Sequence, residues 1–166
     1  ISFREPGGTN FSEKLRQLML NKKSKLNNKT DLFLLMASRS ENFDKILKEN
    51  YKKKVILIDR FIDSTLAYQH YGMGLDKNLI LRMNNFLLGN FKPNFTFLSV
   101  VDKKNMLKRL KNRKNKNKYD NFNYSFYNKV QKGFLKIALK NRSKYLILDS
   151  NKDSLKIIEN KLINKL

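Results

Sequence analysis

An α/β fold built on a parallel sheet is what this sequence predicts, and three observations predict it. Four short apolar runs are scattered through 166 residues, and each is a candidate strand. The intervals between them carry apolar residues at helical spacing. No internal repeat or long linker divides the chain, so these elements belong to one domain. Strands alternating with helices imply βαβ units, a parallel sheet and a three-layer arrangement.

The elements follow in order. Residues 1–3 are a strand that runs into the Gly-rich turn Arg4-Glu5-Pro6-Gly7-Gly8-Thr9. Asn10 or Ser12 caps a helix through about Asn21, with Leu15, Leu18 and Met19 on one face. Asp31 opens a long apolar helix through Glu49 that carries Leu34, Leu35, Ile46 and Leu47. Residues 55–58 read as a short buried strand ending in Asp59 and Arg60. Residues 77–88 are amphipathic and stop at Gly89. Residues 95–101 form the third strand and 103–110 a basic helix. Residues 112–123 lack an apolar pattern and read as a mobile loop. Residues 124–139 bury Phe126, Val130, Phe134 and Ile137. Residues 145–148 are the last strand. Residues 153–166 close the chain as a helix, with Leu155, Ile158 and Leu162 on one face.

Composition narrows the function classes. With 36 Lys and Arg against 14 Asp and Glu, the formal net charge is +22. Such charge suggests a nucleic-acid-binding module. The Lys is spread along the whole chain and travels with Asn, however, as AT-rich codon usage alone would produce. Two segments, 52–54 and 108–118, remain candidates for local function, the first as a solvated helix end. There is no Cys, which excludes a disulfide scaffold and a thiolate metal site. No apolar run reaches membrane-spanning length and no signal peptide is visible, so a soluble cytoplasmic protein is expected. The first residue is Ile, and the opening strand looks truncated.

The chemistry concentrates in residues 55–74, VILIDRFIDSTLAYQHYGMG. Open α/β sheets bind ligands at the carboxyl ends of their strands. Asp59 there can hold a hydrated Mg²⁺, and Arg60 can fork onto a phosphate. A strand capped by a surface salt bridge is the alternative, and the pair alone leaves both readings open. The polar and aromatic residues that follow, Asp63, Ser64, Thr65, Tyr68, Gln69 and Tyr71, favour a ligand site.

Three motifs, REPGGT at 4–9, LLMASR at 34–39 and DRFIDSTLAYQHYGMGLD at 59–76, resemble those of bacterial thymidylate kinases. KPNFTFLSVVD at 92–102 and ILDS at 147–150 are weaker matches in the same order and spacing. The resemblance implies a P-loop NTPase-like, nucleoside-monophosphate kinase fold over residues 1–166. It implies ATP-dependent phosphorylation of dTMP to dTDP in dTTP biosynthesis, with Mg²⁺ and a homodimer. By the same resemblance, Arg60 binds the dTMP phosphate and Asp59 lies by the metal and phosphates. Arg39 donates to the thymine carbonyl. Thr65 and Gln69 read the polar edge of the base, and Tyr68 packs beside the deoxyribose. Glu5 lines the nucleotide site and Arg16 lies at its mouth. Leu35 stands where the family commonly stacks a Phe on thymine; Phe33 and Phe61 read as core. A lid at about 109–123 closes over ATP, with Arg109, Arg113 and Lys118 as candidates and Arg113 first among them. His70 reads as a bystander.

The roles agree with the chemistry. A thymine carbonyl accepts where the amino group of cytosine donates, so an Arg donor facing cytosine is left unpaired, at a cost of about 1–3 kcal/mol or more. Phosphoryl transfer needs positioning and charge neutralisation, so no catalytic Ser, His or Cys is expected. A kinase for another nucleoside or deoxynucleoside monophosphate is the alternative enzyme reading. No glycine-rich loop ending in Lys-Ser or Lys-Thr occurs in the sequence. In the family it lies upstream of REPGGT, on a strand between those ending at Ile58 and Val101. The expectation is therefore an inactive chain, marginal as an isolated fold, with two unpaired strand edges.

Overall fold

The computed structural model describes residues 1–152 and 155–164. Strands β1 (Ser2–Arg4), β2 (Leu57–Asp59), β3 (Thr96–Val100) and β4 (Tyr145–Asp149) alternate with helices. The helices are α1 (Asn10–Leu20), α2 (Asn28–Asn42), α3 (Lys48–Asn50), α4 (Ile62–Thr65), α5 (Lys77–Leu88), α6 (Lys103–Asn112), α7 (Tyr124–Lys140) and α8 (Leu155–Ile163). The α/β class and parallel pairing expected from the sequence are present. Among the described residues the strands form two parallel pairs, β1 with β2 and β3 with β4, and no continuous sheet. Phe3 registers against Ile58, and Leu98 against Ile147.

This pairing corrects the burial expected of residues 55–58. Val55 is 65% exposed and Leu57 51% exposed, because β2 hydrogen-bonds to β1 alone. Each apolar side chain left in water forgoes roughly 1.5–3 kcal/mol of burial.

Helix boundaries follow capping chemistry. Thr9, not Asn10 or Ser12, caps α1: its Oγ1 accepts from the Ser12 amide. Asn27 caps α2 in the same way, so the helix begins at Asn28, three residues before the expected start, and Asp31 sits in the first turn. α2 passes into a π-helical stretch, Phe43–Leu47, before α3. Asp76 caps α5, and Gly89, at φ 54°, ends it.

One unexpected helix matters for the site. α4 continues into a π-helical stretch, Leu66–Gly72, so residues 62–72 are helical. Thr65 and Gln69 lie one turn apart on its buried face. The largest core cluster joins α1, α2 and α5 to this helix through Met19, Leu32, Leu35, Met36, Leu66 and Ile80. Phe61 belongs to a second cluster with Leu47 and Leu88, whereas Phe33, expected in the core, is 59% exposed. Its neighbours Leu32 and Leu35 take the inward positions of α2 and turn Phe33 outward. Of the residues expected to form the closing helix, 153, 154, 165 and 166 lie outside the described residues, as does the side chain of Leu155; Ile158 and Leu162 are half-buried and Ile157 is exposed.

The expected mobile loop is organised instead. Lys118–Asn121 form a 3₁₀ turn closed by a capping box between Asn117 and Asp120. Arg113 pairs with Asp120 at 2.7 Å, and the Tyr127 hydroxyl donates to the Tyr119 carbonyl. Short-range polar chemistry, invisible to an apolar-periodicity reading, orders this segment.

Candidate active site

The site is built from the REPGGT turn, the inner face of α2 and the helix after β2. On α2, Asp31, Leu35, Ser38, Arg39 and Asn42 are all buried, a largely polar stripe on one helical face. Asn42 straps the turn: its Nδ2 donates to the Gly7 carbonyl at 2.6 Å, and its Oδ1 accepts from the Thr9 amide. The Gly7 amide donates to Ser38 Oγ. Gly8, at φ 118°, lies so close that a Cβ there would sit 2.7 Å from Asn42 Oδ1.

The strapped turn delivers Glu5 to Arg39. The Arg39 side chain is 1% exposed. Its Nε and NH2 both donate to Glu5 Oε2, at 2.8 and 2.6 Å. NH2 also donates to Thr65 Oγ1 at 3.0 Å, and NH1 to Asn84 Oδ1 at 2.6 Å. A guanidinium has five N–H donors, so four are committed and one on NH1 is left for a ligand. Phe61 lies under the guanidinium, 5.1 Å away. Burial pushes the Glu5 carboxyl above its usual range, although the Arg39 guanidinium and the Asn42 amide pull it down. Glu5 Oε1 and Gln69 Oε1 are buried acceptors without hydrogen-bond partners.

A cleft of about 420 Å³ is lined by Ser2, Phe3, Arg4, Glu13, Arg16 and Asp59. Arg4 Nε donates to Asp59 Oδ2 at 2.6 Å. Arg16 NH1 donates to the Pro6 carbonyl, and partial burial beside Arg4 lowers its basicity. Arg60 adopts φ 70°, a left-handed conformation that costs a non-glycine residue about 1–3 kcal/mol. Its guanidinium lies over the Tyr68 ring at 5.0 Å. Two arginines lining one cleft, Arg4 and Arg16, suit an anion better than they suit each other.

The structure thus gathers Glu5, Arg39 and Thr65 into one network and Asp59 and Arg16 around one cleft. Leu35 goes to the core cluster rather than to an open surface. Of the lid candidates, Arg109 donates to the Ser150 carbonyl, Arg113 is held by Asp120, and Lys118 reaches Asp31 at 2.6 Å. His70 Nδ1 lies 2.9 Å from the Leu75 carbonyl, a local contact at the turn before α5. Three residues escaped the sequence reading: Arg4, Asn84 and Asp31 as a partner of the loop. Asn84 had a signal, a polar residue on the apolar 80–84–88 face of α5.

Asp59 is an exposed carboxylate, and among the described residues no cluster of three metal-ligating side chains occurs. That donor fits Mg²⁺, which is commonly held by one or two carboxylates with substrate phosphates.

Parallel strands ending in an acid and arginines, with a buried Arg network on the neighbouring helices, define an α/β protein with a candidate ligand site at its strand ends. A family model for thymidylate kinase matches residues 1–162. The thymidylate kinase of Wolbachia pipientis wMel is 44% identical over 138 residues, covering 82% of this chain and 67% of that protein. That of Wolbachia sp. subsp. Brugia malayi is 43% identical over 137 residues, covering 82% and 64%. The matched stretch therefore spans about two thirds of these relatives' own length. The crystal structure of thymidylate kinase from Ehrlichia chaffeensis superposes with a TM-score of 0.77 at 33% identity, over 99% of this chain and 79% of that one. The chain belongs to the thymidylate kinase family.

Proposed function

We propose that this chain forms the acceptor half of a thymidylate kinase, which transfers a phosphoryl group from ATP to dTMP. The observation that carries this reading is the buried Glu5–Arg39–Thr65 network, in the same turn-and-helix region that supplies Arg4 and Glu13 to a cleft shared with Arg16 and Asp59. Arg60 and Arg16 take the dTMP phosphate, and Arg39 offers its one uncommitted N–H to the thymine carbonyl. Gln69, with its unpartnered Oε1, and Thr65 face the base edge. Tyr68 packs beside the deoxyribose. The protein's part in phosphoryl transfer is positioning and charge neutralisation. Asp59 would hold Mg²⁺, which supplies positive charge to the phosphate oxygens. Arg4 would then exchange Asp59 for phosphate. Arg113, Arg109 and Lys118 remain candidates for the donor nucleotide, with Arg113 first. Cytoplasmic location suits a nucleotide-pool enzyme, and no described helix is long and apolar enough to cross a membrane.

A homodimer is part of the proposal. Phe33 on α2 and Phe86 on α5, two helices in contact, are 59% and 88% exposed. Burial against a second copy would remove them from water at roughly 1.5–3 kcal/mol per side chain.

Calorimetric titration of the 166-residue chain with dTMP, dCMP and UMP tests the reading. Binding of dTMP in preference to the other two is expected. Because these residues include no glycine-rich Lys-Ser or Lys-Thr loop, ATP-dependent dTDP formation by this chain alone is expected to stay at background. Equal or tighter binding of dCMP would overturn the thymine assignment, and sustained turnover would overturn the division of labour.

A further inference from the structure

The basic loop and the phosphate arginine are connected through a buried acid that lies far from both in sequence. Asp31 is fully buried in the first turn of α2. Lys118 Nζ reaches its Oδ1 at 2.7 Å, and the Tyr119 hydroxyl donates to its Oδ2 at 3.3 Å. Burial and the Asp31 carboxylate push the Tyr119 phenol well above its usual range, so it remains the donor. The loop side of the contact is itself fixed, by the Asn117–Asp120 capping box and by the Tyr127 hydroxyl. The turn cannot swing without breaking a buried ion pair.

What that fixed turn presents is the Tyr119 ring. It meets Tyr68 edge-on, with centroids 6.1 Å apart. Phe126 and Phe134 meet Tyr68 from other directions, also edge-on. The Arg60 guanidinium lies over the Tyr68 face at 5.0 Å. Arg60 follows β2 in a left-handed conformation, which a non-glycine residue keeps only where the surrounding structure holds it.

We propose that Asp31 and Tyr119 are positioning residues for the acceptor phosphate: Asp31 seats the 118–121 turn, and the Tyr119 ring holds Tyr68 beneath Arg60. Lys118 neutralises Asp31 in this seat. The proposal rests on the reading of Arg60 as the dTMP phosphate ligand. A loop expected to serve the donor nucleotide thereby also shapes the acceptor site.

The test uses two ligands that differ only in the phosphate, dTMP and thymidine. Their dissociation constants are measured by ligand-observed NMR on the 166-residue chain and its variants. Tyr119→Leu keeps an apolar side chain but removes the ring and the hydroxyl. It is expected to weaken dTMP relative to thymidine by about tenfold, as the Arg60–Tyr68 cation–π contact loses the ring that supports it. Tyr119→Phe retains the ring edge and is expected to restore the ratio to within about threefold of the unsubstituted chain. Asp31→Asn, which loosens the seat, is expected to fall between them. Equal losses for both ligands in Tyr119→Leu would mean a merely structural role and would overturn the proposal, as would an unchanged ratio. An unsubstituted chain that binds dTMP no more tightly than thymidine would instead overturn the role of Arg60, and the functional reading with it.

Discussion

Replacing Arg39 by Met removes the guanidinium that pairs with Glu5 while keeping a long apolar side chain over Phe61. Arg39 donates four hydrogen bonds, two of them to a carboxylate oxygen that is itself buried. Removing one partner of a buried ion pair typically costs about 3–5 kcal/mol, because the other charge remains desolvated. In urea, with a slope of about 1–3 kcal/mol per molar, that corresponds to a midpoint lowered by about 2 M. The loss also depends on pH, and the sign follows from Glu5. Its folded pKa already stands above the unfolded value. A group of that kind contributes stability that is fully present below the unfolded pKa and lost as pH rises through the folded one. Arg39→Met removes the largest opposing influence, so the folded pKa climbs and the window extends upward. The deficit should therefore be small near pH 5 and largest near pH 8. Adding Glu5→Gln should abolish the pH dependence and recover part of the stability. Urea unfolding followed by far-UV circular dichroism at pH 5, 6, 7 and 8 measures all three proteins. A deficit that is the same at every pH, or smaller than about 1 kcal/mol at pH 8, would refute the account of a buried pair.

Three further outcomes are expected. Phe86→Glu places a charge on the exposed face of α5 and should shift sedimentation velocity toward monomer without lowering the melting temperature; an unchanged dimer would remove this face from the interface. Gly133→Ala puts a Cβ against the Tyr71 ring, where none fits, and should cost about 1–3 kcal/mol by thermal unfolding, whereas Gly74→Ala meets no neighbouring atom and is strained only by its φ of 78°. Tyr145→Phe removes the hydroxyl that donates to Asp63 at 2.7 Å. Burial already raises the Asp63 pKa and Tyr145 opposes it, so the variant should lose stability more steeply as pH rises above the carboxylate range. A pH profile parallel to that of the unsubstituted chain would count against that pairing.

Much of the candidate site could be proposed before the fold was known. Asp59, Arg60, Thr65 and Gln69 stand within eleven consecutive residues, and the strand before them locates a ligand site by a general rule of open sheets. The order of REPGGT, LLMASR and DRFIDST carried the family, which the match over residues 1–162 bears out. Other parts were not legible. Phe33 and Phe61 are both lone aromatics beside apolar runs, yet one is on the surface and one in a core cluster. Residues 112–123 lack an apolar pattern and so read as mobile, although Asn117 and Asp120 close a turn there.

The sequence by itself determined the α/β class and the family, and it placed the candidate strand-end site with its polar character. Those properties lie in apolar spacing and in residues close together along the chain. Only the tertiary structure decided what each charged group faces. Arg39 meets Glu5 across 34 residues and Asn84 across 45, and Lys118 meets Asp31 across 87. Such pairings depend on which helix faces turn inward together. The physical reason they are kept is that a buried charge must find a partner, and local periodicity does not say where that partner will be.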